Sequence, residues 1–431
     1  MNIVIIGNSA AGTAAIEAIR ENHRENTIIQ LSDEEHPLYS RCLLSYYMAG
    51  SIDKQGLLYR DKDFHKKMDV QLHAGKGSRA VNLDTENRQV TCDNGDAFNY
   101  DRLLIATGAS AKLPDNIPGD IDGIFVLRNL TDVEAIKKKT RDAKNAVVLG
   151  GGLIGIKAAI ALNACGLKTT VVIRSNRVLS QMIDYDASQI IAKELLKNNI
   201  EVMTQTDISE VRSTDNKLTG LKTDGGQVLD CELLVVAKGV TPNTGLIENT
   251  DITLDWGIKT DARMQTGHEN VFAAGDVAET FDIALEDYNV NALWTCAVQQ
   301  GRIAGLNMTE NKNPISYTGA LGMNSLNICN ISLISFGITS PKEESKYKIP
   351  VLSRPEQNRY KKIVIDGNNR IKGIILMGSN ANAGVLLSLI QRKIDVSPFE
   401  DELLSDRFNY GKLLKYGGES ELKRYYSNEI I

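Results

Sequence analysis

The chain carries no CxxC pair and no short cysteine cluster: Cys42, Cys92, Cys165, Cys231, Cys296 and Cys329 are scattered along it. Iron–sulfur clusters, zinc sites and local redox disulfides need ligands a few residues apart, so metal chemistry is not expected. No run of about 18 apolar residues occurs, which argues against a transmembrane helix. Positive charge is not in excess either. The formal net charge is -5, which speaks against a nucleic-acid partner. Scattered thiols fit a reducing compartment, and a first strand beginning at residue 2 is read as having no secretory leader, so a cytoplasmic protein is expected. What is present is ordinary for a globular enzyme: 431 residues, 42% hydrophobic and 24% charged. That length predicts two to three domains at roughly 150 residues each.

Two stretches carry a chemical pattern. Ile3–Ile6 is an apolar run that ends on Gly7 and leads through Ser9 and Gly12 into helix formers. This reads as a buried parallel strand, a tight turn and a helix whose free first amides can hold a pyrophosphate. Ser9 stands where the dinucleotide pattern has its second glycine, and it is small enough to let backbone approach a phosphate. One such motif is weak evidence, but Ala146–Gly155 repeats it in full with Gly150, Gly152 and Gly155, about 140 residues later. Two nucleotide-binding domains follow as the expectation.

In chain order, Thr27–Leu31 reads as the second strand. Asp33 is the candidate for the ribose hydroxyls, with Ser32 in the more usual acid position; a solvated acidic loop is the plain alternative. The stretch from His36 to Tyr47 holds Arg41 and Cys42. Cys42 is either a small buried thiol or a thiolate stabilised by Arg41 beside a redox ring. Val70–Leu72, Ala80–Leu83 and Gln89–Thr91 read as an antiparallel excursion. Tyr100–Gly108 is a strand ending in Ala106-Thr107-Gly108, whose small residues admit a close cofactor. Thr131 with Glu134 reads as a capping box.

In the second unit the strand Thr169–Ile173 ends without an acid and with Arg174 and Arg177 close by. A guanidinium pairs with a 2′-phosphate, so NADPH is slightly favoured over NADH, the alternative being exposed surface arginines. Asn270–Asp276 is a further apolar strand, ending on Gly275 and Asp276. A basic stretch, Lys346, Lys348, Arg354, Arg359, Lys361 and Lys362, reads either as a docking face for an acidic carrier or as a solvated hairpin.

Taken in order, GNSAAG, YDRLLIATGA, VVLGGGLIG, AKGVTPNT and VFAAGDVAE resemble the FAD-dependent pyridine nucleotide–disulfide oxidoreductase superfamily, as far as roughly residue 310. The resemblance implies an α/β fold with two Rossmann-like three-layer nucleotide-binding domains, the second inserted in the first. It implies a discontinuous FAD domain at residues 1–110 and 240–312, an NAD(P)H domain at 111–239 and a small C-terminal α+β domain at 313–431. The implied FAD contacts are Gly7, Ser9, Ala10, Ala11, Gly12, Ser32, Asp33, Ala106, Thr107, Gly108, Gly275 and Asp276. The implied NAD(P)H contacts are Gly150, Gly152, Leu153, Ile154, Gly155, Arg174 and Arg177.

The CxxxxC pair of glutathione reductases is missing. Cys42 falls where the single-cysteine oxidases and coenzyme A-disulfide reductases have theirs, but their serine and histidine are replaced by Leu38 and Ala10. The PLYSR stretch instead resembles rubredoxin reductases and the FAD module of nitrite reductase large subunits, which places Arg41 near the flavin. Lys361–Asp395 resembles the small C-terminal domain of that group. Lys157 stands where the family usually has glutamate near the nicotinamide. Three functions follow, in this order: an FAD-dependent NAD(P)H oxidoreductase that reduces a small redox carrier protein, rubredoxin- or ferredoxin-like; an electron-transfer subunit of a larger redox complex; and a thiol-dependent enzyme using Cys42, with Arg41 as its companion. The sequence names no oligomeric state.

Overall fold

Both apolar runs that end on glycine become the central strands of parallel sheets. The computed structural model describes residues 1–309 and 313–412. In the first sheet Asn2–Ile6 is third of five, in the order Val271–Ala273, Arg102–Ile105, Asn2–Ile6, Thr27–Ser32, Val70–Ala74. In the second, Asn145–Leu149 is third of five, in the order Ile200–Met203, Lys168–Val172, Asn145–Leu149, Leu233–Val236, Ile124–Val126. All neighbouring strands in both are parallel. Parallel strands are covered on both faces, which is why they read as unbroken apolar runs; Ile3, Val4 and Ile5 are fully buried. The first sheet is left after Arg102–Ile105 and completed by Val271–Ala273 only once the second is finished, so the second nucleotide fold is inserted in the first. An antiparallel pair, Ala109–Ala111 with Val240–Pro242, marks the two crossings.

Small residues set the helix layer. The helix Ala10–Asn22 lies against Trp294–Asn307. A Cβ added at Gly301 would stand 2.1 Å from the Ala11 carbonyl oxygen, and one at Gly305 2.5 Å from that of Ala15.

Two local readings shift. Val70–Ala74 is not part of the antiparallel excursion. It pairs in parallel with Thr27–Ser32 as the sheet edge, and the excursion is Ala80–Asp84, Gln89–Cys92 and Ala97–Asn99. The helix Leu130–Lys139 is capped by Asn129 and Asp132 rather than Thr131 and Glu134. The Asp132 amide donates to Asn129 Oδ1 at 2.8 Å, and the Asp132 carboxylate accepts from the Asn129 and Arg128 amides at 3.0 and 2.7 Å. Asparagine is the stronger cap, and the third bond favours this register.

By contact density the chain forms two units. The larger, Met1–Arg174, Asn199–Asp282 and Glu286–Ala320, holds both parallel sheets. The smaller holds Ser175–Asn198, Ile283–Leu285 and the described chain from Leu321 onward. It is built on an antiparallel sheet in the order Met323–Ile328, Ile331–Gly337, Ile371–Met377, Arg359–Ile365, Val351–Arg354, with the helix Ala383–Gln391 closing its core. Asp184, which caps the helix Tyr185–Lys197, accepts from Tyr360 Oη at 2.6 Å and pairs with Lys362 at 2.9 Å, tying that helix to the sheet. The ends of the expected domains at 310–312 and 413–431 lie outside the described residues. Among the described residues no helix is long and apolar enough to cross a membrane.

Candidate dinucleotide sites and the residues between them

The first cradle is held open by contacts that exclude side chains. Gly7 has φ +121°, and a Cβ there would stand 2.1 Å from the Ala106 carbonyl oxygen; one at Gly12 would stand 2.2 Å from the Gly7 carbonyl oxygen. Only glycine lets the strand, the turn and the helix start come this close. Gln30 Nε2 donates to the Gly7 carbonyl at 2.9 Å and pins the turn. The helix start behind it, from Ala10 and Ala11, is capped by Ser9 with no side-chain bond to the first amides, and no acid lies in the first turn. The first-turn N–H groups and the positive end of the helix dipole therefore face outward at the carboxyl edge of the sheet, where a parallel sheet binds its ligand.

Around that edge lie the other expected residues. Ala106-Thr107-Gly108 closes the neighbouring strand. Thr107 Oγ1 donates to the Asn243 carbonyl at 2.8 Å and Asn243 Nδ2 returns to the Thr107 carbonyl at 2.9 Å. The Gly275 amide donates to the buried Gln300 Oε1 at 2.8 Å. Ser32 is buried with its hydroxyl turned onto the Glu34 backbone at 3.1 Å, and Asp33 beside it is exposed.

The second cradle repeats the geometry. Gly150 has φ +127° and a Cβ there would stand 2.2 Å from the Ala237 carbonyl oxygen; one at Gly155 would stand 1.9 Å from the Gly150 carbonyl oxygen. Gly152 caps the helix Leu153–Ala164, whose first turn has no acid, and a Cβ at Gly152 would meet no protein atom within 4 Å. Leu153 is half-buried and Ile154 exposed at the helix mouth. At the end of the next strand the Arg174 side chain is 77% exposed, and it shares Asp207 with Lys238 at 3.4 and 2.9 Å. Arg177 falls in the smaller unit, where its guanidinium donates to the Ser180 and Ile183 carbonyls at 3.1 and 3.2 Å and braces its own turn. Both cradles fit a pyrophosphate: backbone donors, a helix start, and space that only glycine or a small residue leaves.

Between the cradles runs a polar chain that sequence reading only partly foresaw. Tyr39 Oη donates to Glu34 Oε2 at 2.6 Å, Glu34 pairs with Arg41, and Arg41 Nη1 donates to the Arg128 carbonyl at 2.9 Å. Arg128 Nη2 pairs with Asp276 at 2.7 Å and its Nε donates to the Ala109 carbonyl at 2.8 Å. Arg128 was not a sequence candidate; its only local signal is a place immediately before a helix cap. Burial works against the charge on Arg41, but Tyr39 and Glu34 hold its pKa up. With Glu34 as its partner, Arg41 does not serve Cys42. Cys42 is exposed; partial desolvation pushes its thiol above the ordinary range, and the cation that pulls the other way is Lys157. The cation nearest in sequence is therefore not the one that acts on the thiol.

The basic stretch is mostly paired within the smaller unit. Lys346 meets Glu343 at 2.7 Å, Lys348 meets Glu400 at 3.0 Å, Arg359 pairs with Asp406, and Lys362 is buried against Asp184. Lys361 is buried as well. Burial removes Lys361 and Lys362 from the docking face expected from the sequence, while Lys346, Lys348 and Arg354 stay exposed.

Two dinucleotide cradles on inserted parallel sheets define the class: a fold built to hold two dinucleotides. Residues 1–301 match the family described as Pyridine nucleotide-disulphide oxidoreductase, and residues 323–394 match the Rubredoxin NAD+ reductase C-terminal domain. The chain belongs to the pyridine nucleotide-disulphide oxidoreductase family, in the branch that carries this C-terminal domain, and is an oxidoreductase of the FAD- and NAD(P)H-using kind typical of the family. It is 30% identical to the NADH-dependent phenylglyoxylate dehydrogenase subunit epsilon of Aromatoleum evansii, over 95% of this chain and 96% of that one. It is 30% identical to the nitrite reductase [NAD(P)H] of Bacillus subtilis over 92% of this chain, which spans about half (48%) of that protein. The fold resembles that of the putidaredoxin reductase in its covalent complex with putidaredoxin, with TM-score 0.84, 22% identity and 99% of both chains covered.

Proposed function

We propose that this protein takes a hydride from NAD(P)H onto FAD and passes the electrons to a protein acceptor, a rubredoxin- or ferredoxin-like carrier. The observation that carries the reading is the pair of equivalent glycine cradles in one unit, together with an Arg41 that pairs with Glu34 rather than with Cys42. In this reading residues 1–110 and 240–312 hold FAD through the Gly7–Gly12 turn, Thr107, Gly108, Gly275 and Asp276. Residues 111–239 hold the nicotinamide nucleotide through Gly150–Gly155. FAD supplies the step that accepts a hydride and releases electrons singly or in pairs. The protein's own part is placement: first-turn amides neutralise each pyrophosphate, and the Glu34–Arg41–Arg128–Asp276 chain fixes the edge of the flavin site relative to the ribose loop.

An anaerobic dithionite titration of the FAD-loaded protein tests this. Uptake of two electrons per flavin is expected. Uptake of four would mean a second redox centre, most simply an oxidised Cys42, and would move the thiol-dependent reading to first place. Arg174, exposed at a strand end where it shares Asp207 with Lys238, supports NADPH as the preferred donor. Arg174→Ala should then lower kcat/KM for NADPH more than for NADH, and equal effects on both would remove the preference.

A second reading has one specific support. The relative matched over nearly its whole length is named as a subunit, so here the acceptor is a fixed partner subunit rather than a diffusing carrier. Affinity purification from the native source separates the two: a stoichiometric redox partner favours the subunit, and an isolated flavoprotein that reduces free rubredoxin favours the carrier.

A further inference from the structure

Lys157 carries a charge that no carboxylate in the described structure balances. It lies on the helix Leu153–Ala164, whose start is the second cradle, and it is half-buried. Its Nζ stands 5.2 Å from the centroid of the Tyr46 ring. Among the described residues it has no hydrogen bond and no ion pair; its electrostatic neighbour is Cys42. Tyr46 belongs to the helix Leu44–Met48, which packs on the Lys157 helix, and Cys42 to the short turn Arg41–Leu43 just before it. The adjacent Tyr47 ring has a cation of its own, Lys137, at 4.5 Å, so Lys157 is not needed there. A desolvated, unpaired ammonium is costly, and burial lowers its pKa.

The position gives the charge a use. Cys42 and Tyr46 follow the ribose loop of the first cradle, and Lys157 follows the phosphate turn of the second. The ammonium therefore stands at the seam between the two cradles, within one unit. If the two cradles hold FAD and NAD(P)H, as proposed above, a nicotinamide must cross this seam to reach the flavin. In hydride transfer the nicotinamide C4–H bond breaks with its electron pair, and the hydride forms a new bond to the flavin N5. The nicotinamide ring becomes a pyridinium cation, and the flavin ring gains one negative charge. Neither ring is charged before the step.

We propose that Lys157 sets the direction of hydride transfer: its fixed positive charge favours the negative ring on the flavin side and repels the cationic ring on the nicotinamide side, so that oxidised nucleotide is expelled. Both effects have the same sign, and neither asks Lys157 to touch the reacting atoms. It is a positioning charge, distinct from the phosphate contacts at Gly150–Gly155.

The test uses FAD-loaded full-length protein with Lys157→Met, Lys157→Glu and Lys157→Arg. Equilibrium dialysis measures NAD+ and NADP+ against ADP-ribose, which keeps the pyrophosphate and lacks the nicotinamide ring. Lys157→Met should bind the oxidised nucleotides about tenfold more tightly, the size expected of one charge acting at intermediate dielectric. Lys157→Glu should bind them more tightly still, Lys157→Arg should follow the native protein, and ADP-ribose should not discriminate. Spectroelectrochemistry should find the bound flavin of Lys157→Met harder to reduce, by about tenfold in its two-electron equilibrium, or ~30 mV. If the Met variant does not load FAD, Lys157→Gln takes its place. Oxidised-nucleotide affinity and flavin potential within twofold of native, in protein whose flavin is still bleached by NAD(P)H, overturn the inference and leave the functional reading standing. A native flavin that NAD(P)H does not bleach overturns the functional reading itself.

Discussion

A single methyl group asks whether the second cradle faces a ligand or the protein. At Gly155 a Cβ would stand 1.9 Å from the Gly150 carbonyl oxygen, so Gly155→Ala must push the helix Leu153–Ala164 off the central strand. Overpacking of this kind costs about 1–3 kcal/mol. At Gly152 the same methyl meets no protein atom within 4 Å, and φ −75° is open to any residue. Alanine is a poorer cap than glycine by roughly 0.5–1 kcal/mol, so Gly152→Ala should fold almost normally. Its methyl, however, projects into the space ahead of the first-turn amides. Loss of one hydrogen bond from those amides to a charged phosphate is worth about 1.5–3 kcal/mol, or roughly ten- to hundredfold in the NAD(P)H Kd. Urea unfolding followed by far-UV circular dichroism reads the first quantity, and anaerobic NAD(P)H titration of the FAD absorbance reads the second. Gly155→Ala should lose stability, and Gly152→Ala should lose NAD(P)H. Native affinity in folded Gly152→Ala would refute the placement of the pyrophosphate at this turn.

Three other perturbations have defined outcomes. Asp184→Ala removes the acceptor for Tyr360, Lys362 and the cap of Tyr185–Lys197 together; breaking a buried pair costs about 3–5 kcal/mol, so amide exchange in Arg359–Ile365 should accelerate. Unchanged protection there would refute it. Burial lowers Lys361 to about 8, below its unfolded value of about 10.4, so the unfolded chain binds more protons between these values and stability should rise with pH through that window. Lys361→Met should be more stable at pH 7 and lose the rise in urea midpoint, and a retained rise would assign it to another group. Arg128→Lys keeps a charge but not the fork that reaches Asp276 and the Ala109 carbonyl; FAD should dissociate about tenfold more readily, read by ultrafiltration, and native retention would refute a role for that fork.

What the sequence reveals best is whatever a backbone demands locally. Gly7, Gly12, Gly150 and Gly155 were legible because strand, turn and helix cannot meet so closely around any other residue. Choices between equal local options were not legible. Asn129-x-x-Asp132 and Thr131-x-x-Glu134 both read as capping boxes two residues apart, and the Arg128 amide, one residue further back, tips the balance. Val70–Leu72 alternates as a hairpin strand would, and only its distant partner Thr27–Ser32 makes it a parallel edge. Charges were the least legible. Arg41 stands beside Cys42 in sequence, yet its side chain turns back to Glu34, and the cation acting on the thiol is Lys157, more than a hundred residues away. Lys361 and Lys362 look like surface charge until the strand Arg359–Ile365 is seen buried on both faces.

These misplaced charges bear on mechanism. A cation beside a cysteine in sequence invites a thiolate, and a row of lysines invites an acidic partner; in this protein Arg41 turns to Glu34, and Lys361 and Lys362 are buried. Arg41 belongs to a neutralised chain that ends on Asp276, and Lys362 is buried against Asp184 within the smaller unit. Removing those two roles leaves Lys157 as the charge at the seam without a counterion among the described residues. It lies where electrons would pass between the cradles. On this reasoning, the electrostatics specific to this chain act on the internal hydride step.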